Sequence, residues 1–255
     1  MSILVFDIET IPDVQAARKT HDFGTLSDAE VADALFAQRR AKVSHEFLPH
    51  YMQKVAAISL VLHQGETIKC WSLGDESADE KDIITRFFTG LEKHTPTLVS
   101  WNGAGFDLPV LHFRALFNGV QAPAYWEYGE NQSSFKWNNY LNRYHYRHLD
   151  LMDVISGYQS KAFAPLDDIA TILGFPGKMG MSGDKVWGAY LNGEIKAIRD
   201  YCETDVLNTF CVYLRFEFMR GNLNQSSYEH KLQMVKDYLK SESDKPHFQQ
   251  FLGNM

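Results

Sequence analysis

Two periods of apolar spacing alternate along this chain, and the switches between them mark its elements. Ile3-Leu4-Val5-Phe6 is a continuous apolar run rich in β-branched and aromatic types. Such a run predicts a strand buried on both faces, hence central in its sheet. Lys54–His63 and Glu66–Leu73 predict two adjacent strands joined by a turn at Gln64-Gly65. Thr97–Trp101 predicts another strand, closed by Asn102-Gly103-Ala104-Gly105, and Leu149–Ile155 a further strand or short apolar segment.

Helical spacing governs the rest. Ser27-Asp28-Ala29-Glu30 is a capping box followed by Val31, Leu35 and Phe36, which predicts a helix over 27–42. Ile83, Ile84, Phe87, Phe88 and Leu91 form one stripe over 79–93. Helices are also predicted from about Leu108 and over 166–173, 194–219 and 226–241, with a polar tail from Ser243 expected to fray. No repeat or linker separates two folding units. Residues 1–255 are therefore expected to form a single domain, with a helical extension over about 221–255. Early strands, one antiparallel pair and flanking helices predict an α/β fold with a mixed central β-sheet.

Composition narrows the function. At 255 residues and 45% hydrophobic, the chain can bury one sizeable core. A net charge of −7 and a pI near 5.8 argue against a broad nucleic-acid-binding surface, but not against an enzyme that grips only a chain end. Cys70, Cys202 and Cys211 lack any CxxC spacing and read as reduced thiols of a cytosolic protein. No apolar run approaches spanning length, so a cytoplasmic protein with no membrane partner is expected. Gly177-Lys178 lacks the Ser or Thr and the glycine spacing of a phosphate-binding loop, which removes an ATPase reading. His145 and His148 have no third ligand beside them and read as surface residues, not a zinc site.

Three stretches carry candidate chemistry. Asp7 and Glu9 alternate with Ile8, so both point to one side of the strand. Paired carboxylates at the end of a buried strand repel each other and lose hydration, unless a hard cation sits between them. Asp107 opens a helix, and with Pro109 in the first turn it reads as an N-cap. Before it, Gly103 and Gly105 would let backbone approach a ligand closely, and Asn102 offers both donor and acceptor groups. Tyr201 and Asp205 lie four residues apart and share a helix face near apolar Val206, Leu207 and Phe210, whereas Asp200 and Glu203 are expected on the exposed face.

Elsewhere, Tyr125, Trp126, Tyr128, Phe135, Trp137, Tyr140, Tyr144 and Tyr146 are interleaved with Lys136, Arg143 and Arg147. This segment is either a stacking platform for single-stranded bases or a core-facing hairpin. Lys178 and Lys185, in a loop over 174–183 and just beyond it, are candidates for a phosphate contact, with solvated surface the stronger reading.

Taken in order, these stretches resemble a family pattern. Phe6-Asp7-Ile8-Glu9-Thr10 resembles the first motif of the DEDD 3′–5′ exonucleases. Asn102 through Phe106-Asp107-Leu108-Pro109 resembles the second, in the form seen in proofreading domains of family B DNA polymerases. Tyr201 to Asp205 resembles the third, in its tyrosine variant. His148-Leu149-Asp150-Leu151-Met152-Asp153 and Gly174–Lys178 are similar to stand-alone bacterial proteins related to those domains. The resemblance runs from residue 1 to about 220.

It implies a ribonuclease H-like fold and a metal-dependent 3′–5′ exonuclease acting on single-stranded ends, DNA first and RNA as the alternative. A binding module without activity is a further alternative, against which all four acids and the tyrosine speak. Asp7, Glu9, Asp107 and Asp205 would hold two divalent cations, Mg²⁺ or Mn²⁺. Such a pair, about 4 Å apart, activates a water and stabilises the leaving oxygen of a phosphodiester. Tyr201 would orient that water, since a phenol's ordinary pKa is near 10. Thr10, Asn102 and Phe106 would contact the terminal nucleotides of a single-stranded 3′ end. One position departs from the pattern: Gly105 stands where polymerase proofreading domains often carry Asn.

Overall fold

The first apolar run becomes the middle of a five-stranded sheet. In the computed structural model, which describes residues 2–255, β1 spans Ser2–Pro12, well beyond the apolar run itself. It is flanked by β2 (Gln53–Gln64) and β4 (Thr97–Ser100), with β3 (Thr67–Ser72) and β5 (His148–Asp150) at the edges, in the order β3-β2-β1-β4-β5. β1, β4 and β5 run parallel, whereas β2 runs antiparallel to both β1 and β3. The turn at Gln64-Gly65 joins β2 to β3 as the pattern predicts.

Alternation along β1 divides the core in two. Leu4, Phe6 and Ile8 pack with Ile84, Phe87 and Phe88 of α3 (Glu80–His94) and with Leu108 and Leu111 of α4 (Asp107–Asn118). Ile3 and Val5 pack on the other face with Val206, Leu207 and Phe210 of α8 (Ile195–Met219). Asp7 and Glu9 continue that second series, so the α8 face receives them. Between Glu9 and Thr10 the register slips: Glu9 stands opposite Ala57 but Thr10 opposite Val55, leaving Ala56 as an extra residue in β2. A bulge of this kind re-aims side chains near sites.

Smaller helices complete the molecule. α1 (Val14–Thr20) and α2 (Asp28–Val43) share a small core with Leu48 and Met52, and the Ser27–Glu30 capping box closes α2 as expected. α5 (Leu151–Ile155) follows β5 at once, capped by the Asp150 carboxylate, so 149–155 is a strand end and a helix instead of one strand. α6 (Leu166–Ile172) and α7 (Val186–Leu191) precede α8.

α9 (Gln225–Ser241) and α10 (Pro246–Gly253) pack against α8. The tail does not fray: Phe248 and Phe251 are fully buried, and Pro246 opens their helix. Cover from α10 also buries Glu203, whose carboxylate accepts from Ser72 N–H (2.9 Å), Ser72 Oγ (2.8 Å) and the His247 ring (2.9 Å). Its expected exposed face does not exist. No helix among the described residues is long and apolar enough to cross a membrane.

Candidate active site

Three elements deliver the acids to one place. The C-terminal half of β1 carries Asp7 and Glu9, the start of α4 carries Asp107, and α8 carries Tyr201 and Asp205 one turn apart. Asp7, Asp107, Tyr201 and Asp205 line a cleft of about 340 Å³ together with Asn102 and Phe106. Glu9 and Thr10 line an adjoining cleft of about 530 Å³, walled by Phe36, Phe47, Phe106 and Trp187. The two clefts share Ile8, Phe106, Lys178 and Gly183, so all eight candidate residues stand on one continuous depression.

Asp107 is not an N-cap. Phe106 holds that position, and the Asp107 carboxylate instead accepts from the Ile8 backbone N–H at 3.2 Å. This bond ties the start of α4 to the strand between the two β1 acids. Thr10 Oγ1 donates to Gln53 Oε1 at 3.0 Å, fixing the strand's exit. Cys202 faces the same spot: its thiol lies 3.6 Å from Asp7 Oδ2, and Asp7, Glu9 and Cys202 each bring one donor atom within 4.8 Å of the others.

The loop before α4 is held from behind by Asp150. Its two carboxylate oxygens accept from the N–H groups of Asn102 and Ala104, each at 2.9 Å. Asn102 sits at φ 63°, a left-handed conformation that Asn tolerates. The glycines here answer a need of the chain itself. A Cβ on Gly103 would stand 2.3 Å from Ser100 Oγ, and one on Gly105 2.4 Å from Asn102 Oδ1. Sequence reasoning assigned Asp150 no role; its signal was an acid that ends an apolar strand and also caps the next helix. His148 is likewise inside, its Nε2 2.8 Å from Ser100 Oγ, and not on the surface as its spacing suggested.

The aromatic segment over 121–148 forms neither a hairpin nor a wall of either cleft. Tyr125, Phe135 and Tyr140 are buried in the α3–α4 core, and the Tyr140 hydroxyl donates to the Pro96 carbonyl at 2.7 Å, just before β4 begins. That is the opposite end of β4 from the acids. Trp126, Tyr128, Trp137, Tyr144 and Tyr146 are exposed.

Electrostatics set the acids apart. Glu9 and Asp107 are buried, and Asp7 and Asp205 are half-buried. Loss of hydration pushes the Asp7 carboxyl well above its ordinary range, and the charges of Asp107, Glu9 and Asp205 push further. Glu9 is raised by burial and then by Asp205 and Asp107, against the pull of Lys178. Asp107 is raised to about 7 by burial, although backbone N–H groups oppose the shift. Asp205 is raised to about 6, again by burial, with the Tyr201 hydroxyl and Lys178 holding it down. Burial and the neighbouring Asp205 drive the Tyr201 phenol far above its ordinary value, so it stays protonated. Among the described residues, Lys178 is the one basic side chain lining either cleft; it is exposed as expected, yet its charge reaches Glu9 and Asp205.

This arrangement gives the class first: an α/β protein of the ribonuclease H-like fold, with acids gathered on one cleft. The chain belongs to the family described as "Predicted 3'-5' exonuclease related to the exonuclease domain of PolB", which matches residues 45–255. β1 and its two acids lie outside that match. The structure is similar to that of the family B DNA polymerase from the hyperthermophilic archaeon Pyrobaculum calidifontis, with a TM-score of 0.52 and 16% identity over 99% of this chain. The similarity covers 27% of the polymerase, so it speaks to the fold. A more distant likeness, at a TM-score of 0.36 and 11% identity, joins 94% of this chain to 44% of E. coli Exonuclease I solved with a 5cy-dT13 oligonucleotide. No curated protein matches the chain.

Proposed function

We propose that the cleft is the active site of a 3′–5′ exonuclease that removes nucleoside 5′-monophosphates from single-stranded ends, with DNA as the substrate. The observation that carries this reading is the set of four enclosed carboxylates converging without an arginine or buried lysine to neutralise them. Like charges withdrawn from water are tolerated when a cation joins them. Oxygen donors of this kind suit Mg²⁺ or Mn²⁺, so Asp7, Glu9, Asp107 and Asp205 would hold two such ions. When bound, the ions supply an activated water and charge stabilisation at the leaving oxygen.

The chain's own residues do the rest. Tyr201 keeps its proton and orients the attacking water by hydrogen bonding; it is no base. Asp107, anchored on Ile8 N–H, keeps the two β1 acids and α4 in one register. The larger cleft, with Thr10 on its floor and Phe106 on its wall, receives the terminal base, and Asn102 reaches the next nucleotide. Lys178 meets the phosphate from the open side. Water oxygen ends on the released 5′-phosphate, the P–O3′ bond breaks, and the shortened strand keeps a 3′-hydroxyl.

The test is incubation of a 5′-labelled single-stranded oligomer with Mg²⁺ or Mn²⁺. A ladder shortening one nucleotide at a time is expected, slowed by a 3′-phosphate. Immediate release of a labelled mononucleotide would reverse the polarity and overturn the reading. An RNA oligomer of equal length serves as the competing substrate.

A further inference from the structure

A row of exposed aromatic rings leaves the cleft from Phe106. Phe106 lies 5.2 Å from the Phe47 ring and 5.8 Å from the His50 ring, between centroids. Along α4, Phe113 and Phe117 follow Phe106 at seven and then four residues, so the three share one face. Tyr51 stands 6.1 Å from Phe113, and Phe113 stands 6.2 Å from Phe117. At 1.5 Å per helical residue the row extends roughly 16 Å from the cleft wall. Its outer members are open to solvent: Tyr51 is 48% exposed, Phe113 38% and Phe117 52%.

Exposed aromatics in such a row call for an occupant, and two observations identify it. The row is continuous with the cleft, because Phe106 belongs to both. Its charge also differs from that of the whole protein. On a chain of net charge −7, neither 47–51 nor α4 carries an exposed acid, while His50 lies on the first segment. Arg39, at the end of α2, donates to the Phe47 carbonyl at 2.8 Å. Exposed rings beside Arg39 and His50, with the neighbouring Glu46 already paired to Arg40, match the chemistry of bases and their phosphates.

We propose that this row is a stacking track for the single-stranded nucleic acid upstream of the scissile bond, so that nucleotides beyond the terminal ones bind on α4 and the segment over 47–51. The proposal rests on the exonuclease reading of the cleft and adds to it a preference for long strands. The segment over 125–146, the other aromatic candidate, has no such continuity with the acids.

The test compares wild type with a triple variant, Tyr51→Ala, Phe113→Ala and Phe117→Ala, on dT3 and dT12. All three side chains are exposed, so the core is untouched, and an unchanged melting temperature checks this. For dT12 the triple variant should lose about 10- to 100-fold in kcat/KM, mainly through KM, which is what the loss of one or two stacked bases costs. For dT3 it should match wild type. The corresponding Trp variants should retain most of the dT12 preference. A second arm measures binding of labelled dT12 in EDTA by anisotropy, where no turnover occurs and the same loss is expected. If wild type hydrolyses neither oligomer but binds dT12 more tightly than the variant, the exonuclease reading fails and the track stands. Equal handling of dT12 by both proteins overturns the track, as does an equal loss on dT3. A wild-type dimer dissolved by the triple substitution would also overturn it, because a second copy would then be the occupant.

Discussion

Two groups of enclosed acids lie close together at the end of β1, and they are treated oppositely. Asp13 and Glu80 are closed around Arg114: its Nε donates to Glu80 Oε1 at 2.7 Å, its Nη2 donates to Glu80 Oε2, and its Nη1 donates to Asp13 Oδ2. Val55 N–H and Asn118 Nδ2 also donate to the Glu80 oxygens, and Asp13 caps α1. A few residues earlier, Asp7 and Glu9 are withdrawn from water as well, yet they face two further acids and no arginine. The same kind of side chain thus forms an arginine-bridged ionic joint in one place and a repulsive cluster in the other. A repulsive cluster costs stability, and a fold keeps one where a cation or a reaction makes use of it.

The contrast can be broken most sharply by removing one charge from each group. Asp205→Ala should abolish hydrolysis of a labelled oligomer in Mn²⁺, a larger loss than the roughly 10²–10³ expected for one positioned hydrogen bond, while the protein melts no lower in EDTA. Arg114→Met should do the reverse. It strands Asp13 and Glu80 without a counter-charge, which costs about 3–5 kcal/mol in urea unfolding, with the cleft acids intact. Activity surviving Asp205→Ala, or stability surviving Arg114→Met, would erase the distinction between the groups.

Tyr201→Phe sharpens the same comparison from inside the cleft. It removes one hydroxyl and no metal ligand, so turnover should fall by a smaller factor, at most about 10²–10³. A variant as inactive as Asp205→Ala would give the tyrosine a larger part than orienting water. A fully active one would remove it from the chemistry.

The pattern along the chain foretold the paired side of this picture poorly and the unpaired side well. Asp7 and Glu9 were legible because period-2 alternation at the end of a buried run puts two acids on one face. Tyr201 and Asp205 were legible because period-3.6 spacing puts them on one side of α8. Arg114 was not, because its partners are 34 and 101 residues away and nothing local marks it. Glu203 was misjudged for a similar reason. α8 is covered on one side by the sheet and on the other by α9 and α10, so no face of its middle is polar by default. α10 itself was missed because Phe248 and Phe251 are its two buried anchors in a polar stretch, too few to make a stripe. Asp107 was read locally as a cap, whereas its partner, Ile8 N–H, lies 99 residues away.

Protonation offers a subtler probe. Asp205 and Asp107 have folded-state pKa values of about 6 and about 7, above the ordinary 3.8. In EDTA the folded protein therefore holds protons that the unfolded chain has released, and these groups withdraw stability as pH rises from about 4 to about 7. His63, His112 and His148, which burial pushes down to about 4, act in the opposite sense over much of that window. The effect must be read as a difference. Asp205→Asn should match wild type near pH 4 and gain on it as pH rises. The gain amounts to about 1.4 kcal/mol for each pH unit between the points at which Asp205 titrates in the unfolded and folded protein. A constant difference across this range would mean that the Asp205 carboxyl is not withdrawn from water in the folded protein.

The central claim, that the four acids form one cation site, is tested most directly by melting temperature at neutral pH with and without metal. Mn²⁺ binds the folded site and not the unfolded chain, so at a hundred times its dissociation constant it should add about 2.7 kcal/mol of stability. Asp7→Asn keeps the shape and removes one charge; it should melt above wild type in EDTA and gain far less from Mn²⁺. A wild-type melting temperature indifferent to millimolar Mn²⁺, with Asp7→Asn no more stable in EDTA, would contradict the account.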